Sequence, residues 1–225
     1  MVDDSEPMIV VEDLTKTYDH DKAPVIDRVS LRINKGEMII LMGRSGCGKT
    51  TLLNLIAGLD RPTSGKISVN GTSLIGMSED ELARFRLLKI GFVFQDYNLI
   101  SELTVLENVV LPLKLAGEKD FDRAHKLLEI FDITKLAGEK ANTVSGGEAQ
   151  RAAIARAIAN KPKVLLADEP TGNLDAENET NVMNHFKKIQ EIFNTTIVIA
   201  THNSGLRNYG NRTIVLDSRI SPAEP

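Results

Sequence analysis

Residues 38–58 read MIILMGRSGCGKTTLLNLIAG. The run Met38 to Met42 is short, uninterrupted and apolar, which predicts a strand buried on both faces of a parallel sheet. Leu52, Leu53, Ile56 and Leu59 then recur at helical spacing, with Gly58 near the end, which predicts a helix. Between them stands a glycine-rich loop that matches GxxxxGK[ST] through Gly43, Gly48, Lys49 and Thr50. Glycines let a backbone wrap with its N–H groups inward, and a helix N-terminus adds its dipole, so the loop is an anion cradle. Lys49 can reach the β- and γ-phosphates of a nucleotide, and the Thr50 hydroxyl can bind Mg²⁺. Arg44, Ser45, Gly46, Cys47 and Thr51 complete the candidate phosphate site. A flexible turn with a solvated lysine is the plain alternative, and it leaves the strand–loop–helix context unexplained.

Composition bounds the rest. The chain has 225 residues, enough for one sizeable domain or a core with a subdomain. Hydrophobic residues make up 42% and charged residues 26%, as expected of a globular chain. The net charge is −4 and no block of Lys and Arg stands out, which argues against a nucleic-acid partner. The one locally basic stretch, RFRLLK at 84–89, reads as a solvated helix face. Cys47 is the only cysteine, so no internal disulfide is possible and a reducing compartment fits. The start, MVDDSEP, is acidic and lacks a signal-peptide pattern. No apolar run approaches the ~18 residues of a membrane span, so any membrane role is expected to need a second chain.

Strands are predicted at 8–14, 25–33, 66–71, 91–94, 163–167, 195–200 and 213–217. Residues 25–33 alternate, with Val29, Leu31 and Ile33 on one face and Ser30 and Arg32 on the other, so one face is wet. Asn70-Gly71 is a hairpin signal. Helices are predicted at 78–89, 120–131, 146–159 and 176–193. The pattern is α/β at both ends, with a helix-rich middle from about residue 97 to 160 and a small antiparallel layer near the start.

Four further places carry chemistry. VLLADEP (164–170) ends a buried strand in Asp168 and Glu169, where ligands of open α/β sheets lie. Asp168 is placed to hold Mg²⁺ through its waters, and Glu169 to orient or deprotonate an attacking water. VSGGE (144–148) sets Ser145 and Glu148 as a capping box at a helix start. Gly146 and Gly147 between them cost helix stability, and they leave bare N–H groups open to a phosphate. His202 follows the buried run 195–200, on the same sheet edge as Asp168. Gln95 ends the run GFVF. Either alone is a polar strand end. His20, His125 and His185 have no such setting.

Together these motifs resemble the nucleotide-binding domain of ABC transporters over nearly the whole chain. GRSGCGKTT resembles the Walker A loop, VSGGE the signature, VLLADE Walker B with its glutamate, Gln95 the Q-loop and His202 the switch histidine. GNLD (172–175) resembles the D-loop, ending in Asp175. Tyr18 stands where the family places an aromatic that stacks on adenine. The stretch from Gly91 to Leu113 resembles the branch of lipoprotein-release and macrolide-export ATPases and the cell-division ABC ATPase. Val144, Ala149 and Asn203 depart from a common leucine, glutamine and aspartate. The C-terminal regulatory domain of some importers is not expected.

The resemblance implies a P-loop NTPase core with a mostly parallel sheet, built from about 1–96 and 161–225. It adds a small antiparallel β subdomain, and a helical subdomain at about 97–160 with the signature. It implies ATP and Mg²⁺ as cofactors. Thr50 and Gln95 would ligate the metal, Asp168 would support it, Glu169 would polarise water and His202 would contact the γ-phosphate. Ser145, Gly146, Gly147 and Glu148 would close over the nucleotide of a second copy, in a homodimer formed on ATP binding. An integral membrane permease would be driven from the cytoplasmic side of the cell membrane, for export or extraction. Three alternatives stay open: a mechanical regulator of a transmembrane signalling complex, a soluble ABC ATPase, and a small-metabolite kinase. The kinase leaves SGGE and His202 without a role.

Overall fold

The computed structural model describes residues 7–18 and 23–217. The acidic start, His20 and the tail from Ser218 lie outside the described residues. In chain order the elements begin with β1 (Pro7–Lys16), β2 (Ile26–Asn34), β3 (Met38–Met42) and α1 (Lys49–Ala57). There follow β4 (Ser64–Val69), β5 (Thr72–Ser73), α2 (Glu79–Lys89) and β6 (Ile90–Val93). The middle holds α3 (Val105–Leu115), α4 (Asp122–Ile130) and α5 (Gly146–Ile158). The chain then runs through β7 (Val164–Asp168), α6 (Ala176–Phe193), β8 (Thr196–Thr201) and β9 (Arg212–Val215).

Among the described residues there are two sheets. β6, β7, β8, β3 and β9 lie in that order, all parallel. β2, β1, β4 and β5 form an antiparallel sheet, and the Asn70-Gly71 turn joins β4 to β5 through the pair Val69–Thr72.

Every residue of β3 is buried, and its alternation divides the core. Met38, Ile40 and Met42 face a cluster built with α3, α4, α5 and α6. Ile39 and Leu41 face α1, α2 and the antiparallel sheet. The parallel sheet is thus sandwiched, so the edge formed by its strand ends is where backbone and loops can meet a ligand.

Three local expectations need correction. Leu59 is not on the buried helix face: it is 46% exposed, because Gly58 enters the left-handed region (φ 66°) and ends α1. The stretch 84–89 is not wholly solvated, since the Arg86 guanidinium donates to the Gly58 carbonyl at 2.6 Å and caps α1. The helix α3 was not anticipated as an element. Its start is a capping box: Thr104 N–H donates to Glu107 Oε2 at 2.7 Å, and Glu107 N–H to Thr104 Oγ1 at 3.1 Å. Pro112 lies inside the helix, where proline ordinarily interrupts one.

Candidate active site

The phosphate loop is built by strain-free glycine geometry at one decisive point. Gly48 caps α1 with φ 100°, and a Cβ there would stand 2.7 Å from Ile26 Cδ1 and 3.0 Å from the Val25 carbonyl oxygen. Lys49 begins the helix and is 7% exposed. Its ammonium donates to the Gly43 carbonyl at 3.0 Å and lies 3.6 Å from Glu169 Oε1. The buried lysine is therefore aimed back across the loop, over the space the loop encloses.

β3, β7 and β8 end side by side, and their last residues converge on that space. The Thr50 hydroxyl donates to Asp168 Oδ2 at 2.7 Å, across 118 residues of sequence. The other oxygen, Asp168 Oδ1, is buried with no hydrogen-bond partner. Burial pushes the Asp168 carboxyl above its ordinary range, against the Thr50 hydrogen bond, and the Glu169 charge adds to the rise. Glu169 takes φ 45°, a left-handed turn at the end of β7, and its N–H donates to Ala200 O at 2.9 Å. Its side chain meets His202 through Nδ1 at 3.0 Å and the His202 N–H at 3.3 Å. His202 itself is 68% exposed.

One cleft is lined by Val25, Ser45, Gly46, Gly48, Lys49, Thr50, Thr51, Gln95, Asp168, Glu169 and His202. All but Val25 were candidates from the sequence; Val25 carries no chemical signal and enters because Gly48 abuts it. Gly43 and Arg44 border a separate hollow with Arg207 and Leu216. Cys47 is partly buried and packs against the core beside the loop.

Other expected residues stand apart from this cleft. Ser145, Gly146, Gly147 and Glu148 begin α5 and do not line it. The Ser145 N–H and hydroxyl both donate to Glu148 Oε2, at 2.8 and 2.7 Å. A Cβ on Gly147 would lie 2.7 Å from Asn178 Oδ1, so the Asn178 side chain on α6 packs against that glycine. Asp175 caps α6, accepting from the Asn178 N–H at 2.8 Å, and both its oxygens take the Asn178 amide. Tyr18 is 61% exposed, with the Lys16 ammonium 4.7 Å from its ring centroid. One ring face is thus held by Lys16.

A parallel sheet whose strand ends gather a phosphate loop, two carboxylates, a glutamine and a histidine defines a P-loop nucleotide-binding protein. The chain belongs to the ABC transporter family, whose description "ABC transporter" matches residues 26–172. It is an ABC ATPase cassette. It is 42% identical over 210 residues to the lipoprotein-releasing system ATP-binding protein LolD of Bacteroides thetaiotaomicron, covering 92% of this chain and 95% of that one. It is 38% identical to the macrolide export ATP-binding/permease protein MacB of Syntrophobacter fumaroxidans, covering 96% of this chain but 31% of that protein. The dimeric structure of MJ0796, an ABC transporter cassette, superposes with a TM-score of 0.87 at 40% identity, over 94% of this chain and 95% of that one. A post-hydrolysis dimer of the same cassette, bound to ADP and Pi, gives 0.86 at 39% identity, with the same coverage. Among the described residues no helix is long and apolar enough to cross a membrane.

Proposed function

We propose that the chain hydrolyses ATP between two head-to-tail copies and so drives a separate membrane permease that exports or extracts a substrate. The observation that carries this reading is the separation of two phosphate-binding helix starts. One, at Gly48, opens onto the cleft with Asp168 and Glu169; the other, at Ser145, has no residue in that cleft. A second copy supplies what the first lacks, and the dimeric relatives support it.

The residues fit Mg²⁺. The Asp168 Oδ1 is buried without a partner, and Thr50 and Gln95 offer neutral oxygens on the same cleft. Thr50, Gln95 and Asp168 would hold the ion with the phosphates, where it would offset their charge. The Walker A amides and Lys49 bind the β- and γ-phosphates, and Tyr18 stacks on the adenine. Before nucleotide arrives, Lys49 and His202 both engage Glu169. Phosphate draws Lys49 to itself, which frees Glu169 Oε1 to orient the attacking water. His202 then donates to the γ-phosphate as charge develops there. Ser145 must exchange Glu148 for the opposite copy's phosphate, while Asp175 holds the start of α6 against the signature helix.

Residues 1–96 and 161–225 act as the nucleotide-binding core, and 97–160 as the helical unit that moves with the permease. The docking site follows from an apolar groove between them. Phe92, Phe94, Leu111 and Leu115 line it, and Leu115 is 67% exposed. A permease segment on the cytoplasmic side of the membrane would fill it, as the joined ATP-binding and permease parts of the MacB relative suggest by name. The Asp96–Leu106 segment, which carries Tyr97, Leu99, Ile100 and Leu103, gives Asn98 to this groove and links it to Gln95.

Light scattering on eluted protein tests the reading. Glu169→Gln slows water attack and removes a charge beside the γ-phosphate, so it should dimerise with ATP but not with ADP. Ser145→Arg in that background should leave only monomer. A Glu169→Gln protein that stays monomeric at saturating ATP refutes the sandwich.

A further inference from the structure

We propose that Asn203 is a positioning residue for His202, matched to Glu179, and that this pair ties the loops after β7 and β8 into one unit. The inference rests on the hydrolytic role given to His202 above.

Glu179 Oε2, on α6, accepts two hydrogen bonds. The Asn203 amide donates to it at 2.9 Å, and the Thr171 hydroxyl at 3.0 Å. Thr171 follows Glu169 by two residues and is 4% exposed. Asn203 follows His202 directly. Its Oδ1 accepts from the Gly205 N–H at 2.9 Å, and its own N–H donates to Thr201 Oγ1 at 3.0 Å. The site therefore requires a side chain with an acceptor at one end and a donor at the other. An aspartate would keep the Gly205 contact but would set a carboxylate oxygen against Glu179.

The contacts form a closed circuit. Glu169 holds His202, Asn203 holds Glu179, and Glu179 holds Thr171 on the loop that leaves Glu169. His202 is exposed, and among the described residues its side chain meets Glu169 alone in this structure. When Glu169 turns to water, the backbone at 202–203 keeps its place through Glu179. The same carboxylate reports movement of the Thr171–Asp175 loop to the histidine.

The test is steady-state ATPase kinetics of four proteins. Asn203→Asp should lower kcat about tenfold with the KM for ATP within about twofold, because positioning acts on the transition state. Glu179→Gln in that background should restore kcat to within about threefold of wild type, since the glutamine amide N–H can donate to the new carboxylate where Glu179 repelled it. Glu179→Gln alone should stay near wild type. Should Asn203→Asp melt early, Asn203→Ser replaces it; that variant shortens the side chain so that it no longer reaches Glu179, without adding charge, and should lose several-fold in kcat alone. An Asn203→Asp protein with wild-type turnover overturns the proposal, as does a deficit that Glu179→Gln leaves untouched. Failure of the hydrolytic reading looks different: His202→Ala would then keep full turnover. If both readings hold, Asn203→Asp adds nothing to His202→Ala.

Discussion

Asp168→Asn should make the nucleotide-free protein more stable while abolishing its response to MgATP. The wild-type carboxylate has one oxygen satisfied by Thr50 at 2.7 Å and one buried without a partner. Lys49 attracts the charge and Glu169 repels it, but burial is the largest influence and raises the pKa. An unsatisfied buried polar group costs roughly 1–3 kcal/mol. An amide keeps the Thr50 bond, and leaves behind a neutral unpaired group in place of a charged one, so the gain is taken at about 1 kcal/mol. For a chain of this length that is a rise in Tm of about 2–4 °C. The pH sign follows from linkage. The folded pKa lies above the unfolded one, so the cost is absent below the unfolded value and grows as pH rises through the folded value. The advantage of Asp168→Asn is therefore full at neutral pH and fades on acidification. Ligand acts the other way, since a hundredfold excess over Kd stabilises the wild type by about 2.7 kcal/mol. Thermal melts followed by circular dichroism, with and without MgATP, should show the order of the two proteins reverse. If Asp168→Asn melts below the wild type without nucleotide, the carboxylate is a structural partner and the reasoning fails.

Lys49→Ala should lose ATP binding with the fold intact, checked by fluorescent-nucleotide titration, because it removes the charge that complements the β- and γ-phosphates. His202→Ala should bind ATP normally and lose most turnover, which a binding titration beside an ATPase assay separates. His185 is 6% exposed and packs on Phe131, and burial, with Lys188 and Arg151 nearby, lowers its pKa from 6.5 to about 4 against the pull of Asp132. Its contribution is full above 6.5 and is lost as pH falls toward 4, on the order of 2–3 kcal/mol; denaturant melts of His185→Leu should show a flatter acid limb. Leu115→Glu should spare the ATPase activity of the isolated chain and abolish co-purification with the permease, because Leu115 is 67% exposed and carries no core packing.

Much of this molecule was legible in one dimension because the signals are local. An unbroken apolar run means a strand buried on both faces, and Met38–Met42 is one. The spacing of Gly43, Gly48, Lys49 and Thr50 describes a loop whose geometry is complete within a dozen residues. The ends of α6 were readable for the same reason, since amphipathic period and capping residues are neighbours in the chain. One element was missed: α3 was not anticipated, although its capping box of Thr104 and Glu107 was in plain view and Pro112 lies inside it.

What tertiary structure decided is which distant groups meet. Strand order 6-7-8-3-9 depends on packing free energy summed over two core clusters, which no window of sequence contains. That order alone puts Thr50 against Asp168 and Glu169 against both Lys49 and His202. It also turned expectations into specific duties. Arg86, from α2, caps α1 across 28 residues of sequence. Glu179 carried no sequence signal at all. It matters because folding brings one carboxylate within hydrogen-bond reach of two loops, and burial makes each such contact selective about charge.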